Sequence, residues 1–540
     1  MKKSLWLTIL LMLSGPVSSD QTWRGDLRPL SEQDWQPAHA AHLLERAGFG
    51  GTPQQVQALW VMGPEKAVDH LVNSVNGDGD LPPFEHSGVF DEGLDPFPPS
   101  RPATTKMAKA NGEALGIKVK PEGNRPVQPV VNKFFYWLRA SRLETDRVAY
   151  WWAERMLVSP TPLKEKMALF WHGHFATNED KVRDYRKMLQ QLELFQTRGL
   201  GKFSDLLHAV ATDPAMLAFL DAGVNVKGAP NENFAREIME LFTMGTGHYT
   251  EKDIREAARA FTGWNFSGLE FVVNKDSHDD GIKHFLGRSG RFDGHEVIDV
   301  ILDHPATPTY IASKLYRYFV REDLDPDLAQ KLAAVLRDAD YDLRTYLSVI
   351  FSSRDFYAPE SVATRIKPPV ELVIGTYRKL GFTHLPGTPD FNMVTGSLGQ
   401  RLMHPPTVAG WSQGRAWITP GLLIDRGNFA LDLVFPDIGF IPMDRYPSYG
   451  GGGEILAVHR RIRGGADITA ATMPANTNID AGEMAASNVL ADRDEAFNTR
   501  YGSYRGWQMA IERVKPIPRT IGRIDLANMI ISHGCETPDE

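Results

Sequence analysis

Apolar residues recur at three- and four-residue spacing along most of this chain. The pattern runs from His39 to Ala47 and stops at Gly48. It resumes after Thr52-Pro53, where an N-cap residue followed by proline opens a second helix. Further helices are expected over about 127–158, from Thr161-Pro162 into FWHGHF at 170–175, and over about 180–197, 203–211, 214–220, 231–243 and 250–261. Helical period returns after Asp293, continues to about Gly381, and recurs over about 393–402 and 422–434. Strand-like alternation is clear only in 270–274 and 282–286, which read as a hairpin closed by the polar loop KDSHDDG. The expected fold is therefore mainly α, a large multi-helix globular domain with one small β-hairpin insertion at about 270–287.

Where the period fails, the chain reads differently. Residues 78–125 are rich in Pro and Gly and predict a long loop. From 436 to 540 the pattern weakens, which predicts a loop-rich extension packed on the same 20–435 domain. Its run Tyr449-Gly450-Gly451-Gly452-Gly453 lacks the Lys-Ser/Thr that a phosphate-binding loop requires. Residues 1–19 read as a secretory signal, with Lys2 and Lys3 before an apolar run, Val17-Ser18-Ser19 at the cut and Asp20 as the first mature residue. That run is too short to span a bilayer, and no later run is long enough, so the mature protein is expected in the periplasm or beyond without a transmembrane segment.

Composition sharpens this picture only at the margins. An apolar share of 42% with 23% charged residues is that of a globular chain. The net charge of −8 disfavours a general nucleic-acid or anionic-membrane binder. Cys535 is the only cysteine, so no intrachain disulfide forms, and its place in the polar tail CETPDE does not suit a thiol catalyst.

The candidate chemistry lies between Leu169 and Asp280. His172 and His174 are two residues apart. On a continuous helix they diverge by about 200°, whereas in a segment that ends at Gly173 they would share a face. Helix 231–243 carries Asn233, Arg236, Glu237 and Glu240 opposite an apolar stripe. These are either a salt-bridged surface, since Glu232–Arg236 and Arg236–Glu240 are i,i+4 pairs, or a catalytic set. In the second case Arg236 orients a carboxylate and Glu237 or Glu240 serves as a base. The loop at 276–280 offers Asp276, His278 and Asp280. An EF-hand is excluded there because the twelfth position is Gly287. Together His172, His174, His278 and Asp280 form the candidate ligand set for a divalent transition metal, whose bound water would act in hydrolysis or whose redox chemistry would be used. The competing reading is a non-catalytic helical scaffold. His404-Pro405-Pro406 and the tryptophans at 411 and 417 predict a rigid loop. No nucleophile elbow, H-E-x-x-H or dinucleotide fingerprint is present.

Several segments, in order, resemble a bacterial family catalogued as domain-of-unknown-function family 1800. They include HLLERAGFGGTPQQVQAL at 42–59, KMALFWHGHFAT at 166–177, PNENFAREIMELFTMGTGHYTEKDIREAARAFTGW at 230–264, HPATPTYIASKLYRYFV at 304–320, IKPPVELVIGTYRKLG at 366–381 and LGQRLMHPPTVAGWSQGRAWITPGLLIDRGNFA at 398–430. The family's usual residue between the two histidines is Asn, where this chain has Gly173. The resemblance implies an exported bacterial protein without an established common reaction. It also implies an association with an exported partner of a second family, numbered 1501, that looks like sulfatases.

Overall fold

The computed structural model describes residues 23–74, 81–90, 128–387, 389–435, 510, 511, 513–517 and 524, with the side chains of 128–135 set aside. Residues 1–19, expected as a leader, most of the loop expected at 78–125, the glycine run at 449–453 and Cys535 lie outside the described residues.

Proline and capping residues start most of the helices, and they do so where the sequence places them. In the N-terminal third these are α1 (Pro37–Ala47), α2 (Pro53–Met62), α3 (Pro64–Asn73), α4 (Gln128–Val158) and α5 (Pro162–His174). Thr52 closes a reciprocal capping box with Gln55 at the start of α2. Next come α6 (Glu179–Val182), α7 (Tyr185–Arg198), α8 (Phe203–Ala211), α9 (Pro214–Phe219), α10 (Asn233–Glu240) and α11 (Glu251–Ala260). The single helix expected over 180–197 is split. Arg183 adopts a left-handed conformation at φ 57, and Asp184 then caps α7 by accepting from the Arg186 amide. The C-terminal half contributes α12 (Gly294–Leu302), α13 (Ala306–Phe319), α14 (Pro326–Asp338), α15 (Leu343–Ser352), α16 (Pro369–Lys379), α17 (Phe391–Ser397) and α18 (Pro420–Val434). The fold is mainly α.

The β content is small, but its pairing differs from the expected hairpin. Strand β1 (Trp264–Ser267) pairs with β2 (Glu270–Val273), and β3 (Lys283–Phe285) pairs with β4 (Arg288–Gly290), both antiparallel. The two segments read as partners are thus one arm each of two hairpins. Two-residue turns explain the change. Gly268 has φ +60 between Ser267 and Glu270, and Leu286 and Gly287 have φ 46 and 77 between Phe285 and Arg288. Positive φ at these positions is what tight hairpin turns require.

One core runs through the molecule, from Leu30 and Trp35 to Phe429 and Leu433. Of the residues described beyond 436, Ala510 and Val514 are buried in that core, and Ile524 donates its amide to Leu433 O at 3.1 Å. Helix α5 lies in the middle and is buried on nearly all sides. That burial carries the FWHGHF segment into the interior.

Candidate functional site

Helix α5 continues to His174, so its two histidines leave it in different directions. The expectation that Gly173 breaks the helix and turns both imidazoles to one face is corrected: the glycine is helical. Its role is to admit a neighbour. Gly410, at φ +83, sits so close that a Cβ there would lie 2.1 Å from Gly173 O. The 404–411 turn is thereby seated against the end of α5.

His172 is buried between the rings of Trp152 and Trp411, at 5.6 and 5.2 Å between centroids. Its Nε2 accepts a hydrogen bond from the Met403 amide at 3.0 Å. Met403 has φ 64, a left-handed conformation that a side chain disfavours. His172 therefore anchors a strained turn. Burial, aided by the charge of His404, holds its pKa down to about 3, so the ring is neutral.

His174 faces the other way. Its Nε2 lies 3.0 Å from Phe242 O, and its Nδ1 lies 3.2 Å from Lys314 Nζ. A carbonyl only accepts and an ammonium only donates, so the proton is on Nε2 and the Nδ1 lone pair faces the lysine. Burial and the Lys314 charge both hold the imidazole well below its ordinary pKa.

The other residues predicted for a site have separate partners. Arg236 donates to Glu251 at 2.9 and 2.8 Å and to Glu232 at 3.3 Å, on the surface. Glu240 accepts from Tyr249 Oη at 2.7 Å. Glu237 is half-buried, and burial and the charge of Glu240 raise its pKa. His278 Nδ1 lies 2.8 Å from Thr262 O, and Asp280 is exposed. The loop that holds them is anchored instead by Asp279, paired with Arg259 at 2.8 Å. Among the described residues, no group of three or more His, Cys, Asp or Glu converges as a metal-binding set. Helix α10 does reach His174, but through the main-chain carbonyls just past its end. Leu241 O accepts from Tyr310 Oη at 2.9 Å and from Lys314 Nζ at 3.3 Å, and Phe242 O meets the imidazole. The negative end of a helix suits such a cation.

What the structure assembles around His174 is a cavity of about 420 Å³. Helix α5 supplies Leu169, Phe170 and Gly173, α13 supplies Lys314, Arg317 and Tyr318, and the segments that follow add Glu322, Arg365, Pro368 and Glu371. Gln400 and Ala409 to Gly414, with Trp411, close it. Gly414 has φ +59, which a side chain disfavours, and a Cβ there would displace the Glu322 carboxylate.

Three cations line this cavity against two carboxylates, and one of the carboxylates is already shared. Glu371 lies 2.9 Å from Arg365 Nη1 and 2.7 Å from the fully buried Lys166 Nζ. Burial pushes the Glu371 carboxyl up, yet Arg365, Lys166 and Arg46 together hold it well below the usual carboxylate range. Arg46, also buried, is spent on the main-chain oxygens of Phe319 and Tyr318. Lys314 has no carboxylate within ion-pair distance among the described residues. Burial alone lowers its pKa to about 8. Positive charge is therefore in surplus at the cavity wall.

None of these cations stood out in the sequence, although a signal existed. Lys166, Phe170 and His174 repeat at i, i+4 and i+8, as do Tyr310, Lys314 and Tyr318. Each is a charge set into an otherwise apolar helical face, which is costly unless a partner or ligand meets it.

No curated protein and no solved structure matches the chain. A family model does match, over residues 42–508, and its description is "Protein of unknown function (DUF1800)". That span contains α5, α13 and the whole cavity, and the chain belongs to this family.

Proposed function

We propose that this protein binds a small organic anion in the cavity between α5, α13 and the 400–414 turn. The observation that carries the reading is the uncompensated cation: Lys314 lines the cavity with no carboxylate at ion-pair distance among the described residues, while Glu371 is shared by Arg365 and Lys166. An ammonium withdrawn from water without a carboxylate costs the fold free energy, which a bound anion returns. Trp411, Phe170 and Tyr318 would cover the apolar body of the ligand. The size suits a metabolite rather than a polymer.

This reading has more support than metal-assisted hydrolysis or redox chemistry, because His172, His174, His278 and Asp280 are each engaged elsewhere or apart. Export, which Lys2-Lys3, the short apolar run and Val17-Ser18-Ser19 motivate, and association with a sulfatase-like partner, which the family resemblance motivates, are further proposals. N-terminal sequencing that begins near Asp20 would support export, and retention of Met1 would overturn it.

The test is calorimetric titration of the purified protein with small carboxylates, phosphate esters and sulfate esters beside uncharged analogues. Binding should require the charge and should weaken in both Lys314→Gln and Arg317→Gln. Equal affinity for charged and uncharged analogues would overturn the proposal.

A further inference from the structure

We propose that Lys314 is a nucleophilic amine and that the anion it receives is an oxo acid, captured as an imine. This rests on the anion-binding reading above and goes beyond it, because a cation that merely attracts an acid group need not be a lysine.

Two lysines adjoin the cavity, and their surroundings differ. Lys166 is fully buried, 2.7 Å from Glu371 and over the Phe49 ring at 4.7 Å, so its amine is held as an ammonium by a carboxylate. Lys314 lines the cavity itself, and among the described residues its Nζ meets only His174 Nδ1, Leu241 O and the Tyr310 ring, the last at 4.8 Å to the centroid. All three are neutral. They can accept from an ammonium but supply no counterion, so burial still favours loss of the proton, and a desolvated lysine without a counterion is the usual form of a nucleophilic one.

The surroundings also complete the chemistry. The free amine adds its lone pair to a carbonyl carbon, and the C–N bond forms as the C=O π electrons move to oxygen, which takes a proton. The nitrogen gives up a proton, for which the His174 Nδ1 lone pair is the adjacent acceptor on the way to water. The resulting hydroxyl takes a second proton and leaves as water as the nitrogen lone pair forms the C=N bond, and loss of the remaining N–H proton to solvent gives the neutral imine. One carbonyl oxygen departs as water, and no electrons are gained or lost. Arg317 is three residues further along the same helical face and has no ion-pair partner among the described residues, and Arg365 lines the same cavity. An amine beside guanidinium groups matches a carbonyl beside a carboxylate, which is the defining feature of an oxo acid.

The experiment treats the full mature chain with pyruvate or glyoxylate in the presence of cyanoborohydride, which reduces an imine to a stable amine. Intact mass and peptide mapping then locate the product. We expect one equivalent of adduct on the α13 peptide, at least about tenfold less in Lys314→Arg, which keeps the charge and loses the nucleophile. The rate should rise with pH and level off above about 8, where the amine is free. Lys314→Met serves as a second variant if the arginine is not accommodated. Adduct spread over surface lysines and indifferent to either substitution would overturn the proposal. So would its absence. Calorimetry with lactate, which has the acid but no carbonyl, separates the two levels. Lactate binding without pyruvate adduct removes the imine alone, and absence of binding by either acid removes the anion reading with it.

Discussion

Two helices near the middle of the chain, α10 and α13, both carry charge and use it in opposite ways. On α10 the polar residues are dense and adjacent in sequence, yet Arg236 is spent on Glu232 and Glu251 at the surface and Glu240 on Tyr249. On α13 the charges are sparse, a half-buried Lys314 and an exposed Arg317 within an aromatic run, yet both line a partly open cavity and neither has an ion-pair carboxylate among the described residues. A crowded charged face is self-satisfied. An isolated charge in an apolar face leaves a demand that something else must meet.

The largest effect should come from unbalancing the buried set. Glu371→Gln leaves Lys166 and Arg365 without their shared carboxylate and should cost about 3–5 kcal/mol in urea unfolding. A cost below about 1 kcal/mol would show that water already reaches these groups.

Gly410→Ala tests the seat of the turn over α5. The added methyl meets Gly173 O at 2.1 Å, and φ +83 already disfavours a side chain. The expected loss is at least about 2 kcal/mol, measured by the same unfolding.

Lys314→Gln should separate stability from binding. Below about pH 8 the ammonium costs the fold, and that cost fades as pH rises toward the ordinary lysine value of 10.5. The variant should therefore unfold no earlier than the parent at pH 7, while anion binding weakens at least about tenfold, on the order of 1.4 kcal/mol. Loss of stability together with binding would make Lys314 a structural residue.

The pH profile of stability gives a further contrast, away from the cavity. Burial raises Glu179 to about 8 and Asp213 to about 7, against ordinary values of 4.5 and 3.8. The folded state thus binds protons that the unfolded state has lost, and stability should fall as pH rises from about 4.5 to 8, by up to about 1.4 kcal/mol per unit for each group. Glu179→Gln should flatten that decline, and an unchanged slope would exclude Glu179 as its source. Arg236→Ala should have the smallest effect, a melting shift of at most about 2 °C, since its partners are exposed.

How much of this was legible from residues alone differs by feature. Helix starts were, because Thr52-Pro53, Thr250-x-x-Asp253 and similar caps act locally. The two hairpins were not, because Gly268 and Leu286-Gly287 set the pairing and the alternation of 270–274 and 282–286 does not say which neighbour each takes. Of the segments that the sequence singles out, FWHGHF and the 404–417 loop, the latter read as a rigid loop rather than a ligand site, both border the cavity. The residues that give the cavity its charge were not legible, since Lys166 pairs with a carboxylate more than two hundred positions away and Lys314 meets His174 across 140. Burial and long-range pairing are properties of the packed chain, and no local spacing encodes them.

The central claim is that the surplus charge at Lys314 receives an organic anion, and one titration addresses it most directly. Lactate, which has the acid but no carbonyl to form an imine, would be titrated calorimetrically into the purified protein from pH 6 to 10, for the parent and for Lys314→Gln. The account predicts saturable binding of one equivalent that weakens above about pH 8 as the amine loses its proton, and little binding at any pH in the variant. Binding that is the same in both proteins, or independent of pH across that range, would contradict it.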